Sequence, residues 1–419
     1  MSRSAPEPKN AQSKGETDPP ALWRLIPVAD FKPPAGAAPE AVRTGLADLW
    51  KRLAGRGHRE STTDGELELA PPSQELLDWA APEPACPVEE ITAPHSALAA
   101  WLGREESTAG VMALIDGPVA NLSGVLPEWA SQTGYGLIQP PSTAQILAGG
   151  REWLDALPLG QGQRLLLPAL EGCFLRHHNG LELLRRLLDR LEQERPSLLF
   201  VCQSWAWRYL CQAAQIDGVC GPPLALAPFG SDELNRWLGQ TTDDSSPYAF
   251  VFREAATGKT VLETADLEGT VDPNRSAFLT HLAARSRGNP RLAWHIWRRS
   301  LLTTRTEEVD DTARKAADDD PGYTIWVRPW EDISLPDLTG RASKEDGMVL
   351  YTLLLHGTLP RHLLAELLPL PPTRIIRSLQ HLRQEGVAQR AGDIWSVAAL
   401  GYPAARRWLQ DEGYLVDEL

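Results

Sequence analysis

The sequence predicts an α/β fold with a parallel β-sheet and a helical lid, followed by a C-terminal winged helix-turn-helix. Between residues 110 and 239, short apolar runs alternate with amphipathic segments, which is typical of strands buried between helices. Two helical patterns follow at 276–287 and 291–302, and we expect them to cover the sheet as a lid. After residue 343, three helical segments precede a short hairpin, which is the order of a winged helix-turn-helix.

The elements of the predicted sheet follow from apolar periodicity. Strands are expected where apolar residues run together, at 111–115, 135–138, 164–168, 197–202 and 224–227. Helices are expected where apolar residues recur at helical spacing, at 125–133, 142–157, 181–194, 205–214 and 232–238. We therefore divide the chain into a disordered tail (1–20), a mixed and helical N-terminal region (21–105), the α/β core (106–240), a β-hairpin insertion with the helical lid (241–304), an acidic linker (305–342) and the winged helix (343–419).

Composition restricts the classes of function. The net charge of -14 over 419 residues argues against general affinity for nucleic acids or anionic membranes. The first twenty residues are polar and no apolar run approaches the ~18 residues of a membrane span. We therefore expect a cytoplasmic protein with no membrane span. The five cysteines lack C-x-x-C spacing, so we expect neither disulfides nor a metal site.

The turn after the first predicted strand has the outline of a phosphate-binding P-loop. A P-loop reads G-x-x-x-x-G-K-[ST], and its lysine and hydroxyl contact phosphate and magnesium. Counted from Gly117, the last three places hold Leu122, Ser123 and Gly124. Gly117 and Pro118 make the turn, but the lysine is missing. The alternative is an ordinary turn between a strand and a helix.

Two later strands end near residues with side chains suited to a nucleotide site. Glu171 follows the third strand, two residues beyond the places where an ATPase carries an acidic pair, and we expect it to be a surface carboxylate. Gln203 follows the fourth strand, where a polar side chain reads the γ-phosphate in such enzymes. The alternative, which we favour, is that Gln203 or Ser204 only caps the next helix.

Gly288-Asn289-Pro290-Arg291 opens the second lid helix. In the lid of AAA+ proteins, a G-x-x-R at a helix start carries the arginine that reaches the nucleotide. The alternative is an ordinary helix that begins with proline. A second motif, Thr257-Gly258-Lys259-Thr260, matches the end of a P-loop. The residues on either side of it alternate as in β-strands, so we expect a hairpin turn there.

Together these motifs resemble the AAA+ or STAND superfamily of P-loop ATPases, especially its origin-recognition and signalling branch. The resemblance covers 110–302 and the winged helix from 343 to 419, and it implies ATP, magnesium and oligomers. The sequence departs from the family in the P-loop (Walker A), which lacks its lysine and hydroxyl, and after the third strand (Walker B), which lacks its acidic pair. It therefore predicts a vestigial nucleotide site with no catalytic residue, at Gly117, Pro118, Ser123, Gly124, Glu171, Gln203 and Arg291.

The third helix of the winged-helix module carries Arg374, Arg377 and Arg383. Such a helix can read DNA. However, residues 343–400 hold six basic and five acidic side chains, whereas DNA readers concentrate positive charge on one face. We expect these arginines to serve protein docking, with DNA binding as the alternative.

The sequence leaves three hypotheses for function. The first is a catalytically inactive AAA+-like regulatory or scaffold protein that acts through a protein partner or a homo-oligomer and holds no cofactor. The second is an atypical ATPase that binds ATP and magnesium through backbone amides, Ser123 and Arg291. The third is a DNA-binding regulator that uses the winged helix.

Overall fold

The computed structural model describes residues 21–36, 69–84, 88–92, 96–102, 110–120, 122–160, 162–241, 246, 248–262, 276–304, 322–338, 340 and 342–419. The disordered tail predicted for 1–20 lies outside these ranges, and so does much of the predicted N-terminal region. Within the described ranges, no helix is long and apolar enough to cross a membrane.

The described residues form β-sheets and the helices that cover them. The strands are β1 (Leu25–Pro27), β2 (Leu69–Ala70), β3 (Val111–Asp116), β4 (Gly136–Leu137), β5 (Leu165–Leu167), β6 (Leu198–Gln203), β7 (Leu224–Leu226), β8 (Ala249–Glu254), β9 (Leu301–Thr304), β10 (Gly322–Val327), β11 (Thr358–Pro360), β12 (Ala388–Ala391) and β13 (Ile394–Val397). The helices are α1 (Gln74–Ala80), α2 (Val88–Ile91), α3 (Ala97–Leu102), α4 (Leu122–Thr133), α5 (Thr143–Leu147), α6 (Arg151–Asp155), α7 (Glu182–Glu194), α8 (Ser204–Ala214), α9 (Ser231–Gln240), α10 (Phe278–Ser286), α11 (Pro290–Ser300), α12 (Lys344–His356), α13 (Arg361–Leu367), α14 (Pro372–Gln384) and α15 (Tyr402–Asp411).

The main sheet has the order β1-β7-β3-β6-β5-β4. Strands β3 to β7 are parallel to one another, as the sequence predicts, because each is joined to the next by a helical crossover. Every residue of β3 is buried, which explains its continuous apolar run. The register pairs Asp116 with Gln203, so the carboxyl ends of β3 and β6 meet at one edge. Ligands of open parallel sheets bind at this edge.

Two features of the sheet differ from the prediction. The helix predicted at 142–157 is divided into α5 and α6, because Gly149 and Gly150 between them have φ angles of +75° and +61°. The edge strand β1 was not predicted. It pairs antiparallel with β7, and its three residues are too few to display a period of two.

A second sheet has the order β2-β9-β10-β8. Strand β10 pairs parallel with β8 along six residue pairs and antiparallel with β9. The prediction of an acidic linker at 305–342 is therefore wrong for Gly322–Val327. The charged part of that segment, 305–321, lies outside the described residues.

The β-hairpin turn predicted at Thr257-Gly258-Lys259-Thr260 is confirmed. Arg253, near the end of β8, forms an antiparallel bridge with Thr260. Gly258 has a φ of +69°, which a side chain disfavours and a tight turn requires. The motif therefore turns the chain between two paired segments, which is not the setting of a phosphate-binding loop.

The predicted pair of lid helices is also present, as α10 and α11. The winged helix-turn-helix is confirmed in the last part of the chain. Helices α12, α13 and α14 precede the β12–β13 hairpin, and β11 completes a three-stranded antiparallel sheet with the order β11-β13-β12. The described fold is thus an α/β P-loop-like core with a helical lid and a C-terminal winged helix.

Candidate functional site

The turn after β3 holds the residues predicted for a phosphate cradle. Gly117 and Pro118 follow the strand directly, and α4 begins at Leu122. Ser123 and Gly124 therefore lie in the first turn of that helix, where Gly124 is exposed and Ser123 is half-buried. In a P-loop, the N–H groups at such a helix start point at phosphate oxygens.

Here the chain supplies its own acidic group to this helix start. Asp116, the last residue of β3, is fully buried. Its Oδ2 accepts a hydrogen bond from the Leu122 N–H at 2.8 Å. A carboxylate is an anion of the kind that a helix N-terminus stabilises. Asp116 thus uses a donor that a P-loop offers to phosphate.

The position of Asp116 has an electrostatic cost. The pKa of its carboxyl is raised from 3.8 to about 7, chiefly by burial and also by the nearby Glu171, although the N–H groups of Leu122 and Ser123 oppose the rise. No described residue donates a hydrogen bond to its Oδ1. The group is therefore held in a site that penalises its ionised form.

Glu171 lies beside this group rather than on the surface. The residue is only 8% exposed, in a short 3-10 helix at Leu170–Cys173. Its Oε2 accepts a hydrogen bond from the Gln203 N–H at 3.2 Å. Burial raises the pKa of Glu171 to about 7. The expectation of a surface carboxylate is wrong, because the residues that follow β5 turn inward against β6.

The favoured interpretation of Gln203 and Ser204 as side-chain caps is also wrong. Gln203 occupies the N-cap position of α8, but its side chain makes no capping hydrogen bond. The Ser204 hydroxyl instead donates to Oδ2 of Asp417 at 2.6 Å. Neither side chain satisfies the first N–H groups of the helix.

The lid is attached to the turn through Asn289 rather than through Arg291. Asn289 caps α11 by accepting from the Leu292 N–H at 3.0 Å. Its Nδ2 donates to the carbonyl oxygen of Pro118 at 2.7 Å. Arg291 is engaged elsewhere, in an ion pair with Glu83 of the N-terminal region. The arginine predicted to reach the nucleotide thus has an internal partner.

Little space is left between the turn and the lid. Among the described residues, a cavity of ≈ 40 Å³ lies there, lined by Gly117, Pro118, Leu226, Asn289 and Leu419 among others. A water molecule needs about 10–15 Å³ of such volume, whereas ligand sites measure about 300–1,000 Å³. The cavity therefore has room for a few waters and not for a nucleotide.

The residues after α15, 412–419, also reach this cavity, because Leu419 is among the residues that line it. Asp417 is buried and accepts hydrogen bonds from Tyr402 and from Arg406, whose Nε lies 3.0 Å from its Oδ1. Arg287 of the lid turn donates to the carbonyl oxygens of Glu418 and Leu419. Because Asp417 also accepts from Ser204, one short segment contacts helix α8, the lid and the winged-helix module.

Two of these residues escaped the sequence analysis. Asp116 continues an apolar strand, and an acidic residue in a run of buried positions is itself a signal that could have been used. Asp417 lies in an acidic stretch with no pattern to distinguish it. Its role depends on Ser204, which is more than two hundred residues away in the sequence.

The arginines predicted for docking do not form one cluster. Arg374 and Arg377 line the same polar cavity as Glu345 and Asp346, whereas Arg383 does not line it. Arg374 forms an ion pair with Glu345 at 2.6 Å. The positive charge on this face of α14 is therefore offset by carboxylates of α12.

Within the described part of the chain, no group of three or more His, Cys, Asp or Glu side chains is arranged to hold a metal ion. The neighbouring His177 and His178, whose ring centroids lie 4.0 Å apart, are therefore not part of such a group.

Comparison with known proteins gives similarity in structure alone. A scan against protein-family models finds no match, and a sequence comparison with curated proteins finds none. Among solved structures, Cdc6p from Pyrobaculum aerophilum matches with 12% identity and a TM-score of 0.30, over 81% of this chain and 99% of that one. The ORC2 protein of Aeropyrum pernix, solved as ADPNP–ADP complexes, matches with 16% identity and a TM-score of 0.27, over 92% of this chain and 97% of that one. Because these TM-scores are low, the description of the fold rests on the strand order, the lid and the winged helix.

Proposed function

We propose that this chain is a catalytically inactive, AAA+-like regulatory or scaffold protein that acts through protein–protein contacts. The observation that carries the proposal is the hydrogen bond from the Leu122 N–H to the buried carboxyl of Asp116. A phosphate at this helix start would compete with an acidic side chain for the same donor, and the two negative charges would repel each other.

Two further observations support the same conclusion. Arg291, the cation that the lid would direct to a triphosphate, is paired with Glu83. The ≈ 40 Å³ cavity beside Gly117 is far below the volume of a nucleotide site. Ser123 stands where a P-loop has its lysine, and no carboxylate pair follows β5. Bound ATP and the transition state of its hydrolysis would therefore lack the protein charges that usually stabilise the phosphates and hold magnesium.

We propose that the partner is another protein or a second copy of the chain, and that the protein is located in the cytoplasm. The net charge of -14 opposes anionic partners in general. In the winged-helix module, Ile394 of the wing is 41% exposed, which suits an apolar contact with a protein. No resident cofactor is part of this proposal.

Calorimetric titration with ATP, with and without magnesium, tests the proposal. We expect no saturable heat for the full chain, and no ATP turnover above that of a buffer blank. The atypical ATPase would instead bind ATP in a magnesium-dependent manner. In that case Ser123→Ala and Arg291→Ala would weaken binding, while Arg299→Ala, on the same helix as Arg291, would not.

DNA binding remains the second candidate because of Arg377 and Arg383. Both are exposed, and no described residue forms an ion pair with either side chain. A gel shift measured over a range of salt concentrations tests this alternative. A specific reader would lose affinity steeply with salt, and Arg377→Gln with Arg383→Gln would reduce the salt slope. We expect no shift at physiological salt.

A further inference from the structure

Four arginines surround one cavity where the lid meets the winged-helix module. Arg285 and Arg287 come from the end of α10 and the turn after it, and Arg406 and Arg407 come from α15. Together with Tyr402, they line a cavity of ≈ 240 Å³. Helices from two different parts of the chain thus bring four guanidinium groups around one space.

The carboxylates near this cavity do not balance the arginines. Arg406 pairs with Asp417 at 3.0 Å, and Arg407 pairs with Asp337 at 3.0 Å. Arg287 donates to main-chain oxygens of Glu418 and Leu419. Among the described residues, two side-chain carboxylates therefore pair with a group of four guanidinium ions.

Arg285 is the member of this group that lacks a direct partner. It makes no hydrogen bond or ion pair with any described residue, and the influence of Asp337 reaches it only through space. Burial and the neighbouring Arg407 lower its pKa. Burial and Arg406 likewise lower the pKa of Arg287. The fold thus holds positive charges together at an energetic cost, in a chain whose net charge is strongly negative.

We propose that the cavity lined by Arg285, Arg287, Arg406 and Arg407 binds a small ligand that carries a phosphate group, such as pyrophosphate or a phosphate monoester. The guanidinium fork matches the oxygens of a phosphate and can donate two hydrogen bonds to it. A multiply charged oxyanion would also supply the negative charge that the two carboxylates leave missing.

The size and shape of the cavity favour a small ligand over a macromolecule. At ≈ 240 Å³ it is below the range of about 300–1,000 Å³ for drug-sized ligands, so it suits a phosphate group rather than a whole nucleotide. A nucleic-acid backbone would need positive charge along an extended groove. Here the arginines converge on one concave site.

Calorimetric titration of the full chain with pyrophosphate, and separately with inorganic phosphate, tests this inference at physiological salt. We expect saturable binding of pyrophosphate that Arg285→Gln and Arg407→Gln each weaken by about tenfold or more, since each removes a charge-assisted donor. Arg299→Gln is the matched control, because Arg299 lies on the neighbouring helix α11 and does not line the cavity. Its affinity should stay within about twofold of wild type.

The outcomes separate this site from the turn after β3. If pyrophosphate binds and neither Arg285→Gln nor Arg407→Gln changes the affinity, the ligand lies elsewhere and the inference is overturned. The absence of saturable binding would overturn it as well, as would weakening by Arg299→Gln to the same degree. A duplex DNA that displaces pyrophosphate stoichiometrically would assign the cavity to nucleic acid instead. Circular dichroism of each variant verifies that the fold is retained. None of these outcomes depends on whether the chain binds ATP.

Discussion

At the scale of single residues, the carboxyl of Asp116 decides what the turn after β3 can bind. The side chain is buried at the end of the central strand and accepts from the Leu122 N–H. Its ionised form attracts that helix start but loses its hydration, and the raised pKa of about 7 means that the loss outweighs the attraction. Asp116 thereby occupies the helix start while destabilising the fold at high pH.

This balance predicts a pH dependence for Asp116→Asn. The unfolded chain releases the proton near pH 4, whereas the folded chain holds it until about pH 7, so wild-type stability is lost as the pH rises between these values. Asparagine has no proton to release. We expect Asp116→Asn to gain stability over wild type across this interval, by at most about 4 kcal/mol, and the gain to level above pH 7. Urea denaturation at a series of pH values measures it.

Glu171→Gln should also gain stability over wild type as the pH rises towards 7, because burial raises the pKa of Glu171 to about 7. A stability difference between Asp116→Asn and wild type that is constant from pH 4 to pH 8 would contradict the prediction.

At the scale of elements, the turn that joins the two lid helices is held against the sheet. The Gly288 carbonyl oxygen accepts from the Phe229 N–H at 2.9 Å, and Asn289 reaches Pro118. A Cβ on Gly288 would lie 2.4 Å from the Cβ of Pro228, and the residue has a φ of +77°. The glycine of this motif is therefore explained by close approach of the backbone to the segment after β7, with no need for a nucleotide.

Two glycine substitutions separate crowding from backbone strain. Gly258 has a similar φ of +69°, but nothing lies within 4 Å of a Cβ built on it. We expect Gly258→Ala to cost about 1 kcal/mol of stability, from the left-handed backbone alone. Gly288→Ala should cost about 2 kcal/mol or more beyond that, because the lid turn must also move away from Pro228. Urea denaturation of both variants gives the comparison, and equal losses would show that the lid turn yields without cost.

At the scale of the whole molecule, the segment after α15 joins parts that are distant in the sequence. Asp417 accepts from Ser204 of α8 and from Tyr402 and Arg406 of α15, while Arg287 holds the two residues that follow. Burial raises the pKa of Asp417, and its hydrogen bonds with Ser204 and Arg406 oppose the rise. The winged-helix module is thereby fixed against helix α8 of the core and against the lid.

Removal of this carboxylate should therefore loosen the contact between modules. Asp417→Ala removes the carboxylate that pairs with the largely buried guanidinium of Arg406 and accepts from Ser204 and Tyr402, and we expect a loss of about 3 kcal/mol. Glu418→Ala is the control, since Glu418 pairs with Arg208 at the surface and should cost less than about 1 kcal/mol. Urea denaturation measures both losses, and hydrogen exchange should increase in α15 for Asp417→Ala alone. Similar losses for the two variants would contradict this account.

The sequence by itself determined the elements whose patterns are local. The five parallel strands, the lid helices, the hairpin turn at Gly258 and the winged helix each follow from apolar periodicity or turn residues within a short window. The absence of the lysine, with Ser123 in its place, is likewise visible in the sequence. Such features need no knowledge of what the segment contacts.

Only the tertiary structure decided which polar groups are buried together. Strand β10 has the β-branched and aromatic residues of a strand, but its partner β8 lies some seventy residues earlier and is not visible from the sequence. Glu171 is inside because β6 packs beside it. The role of Asp116 at the start of α4 and the convergence of four arginines on one cavity depend on the same kind of packing between separate elements. Burial and ionic partners are properties of the folded surroundings, and a periodic pattern carries no information about them.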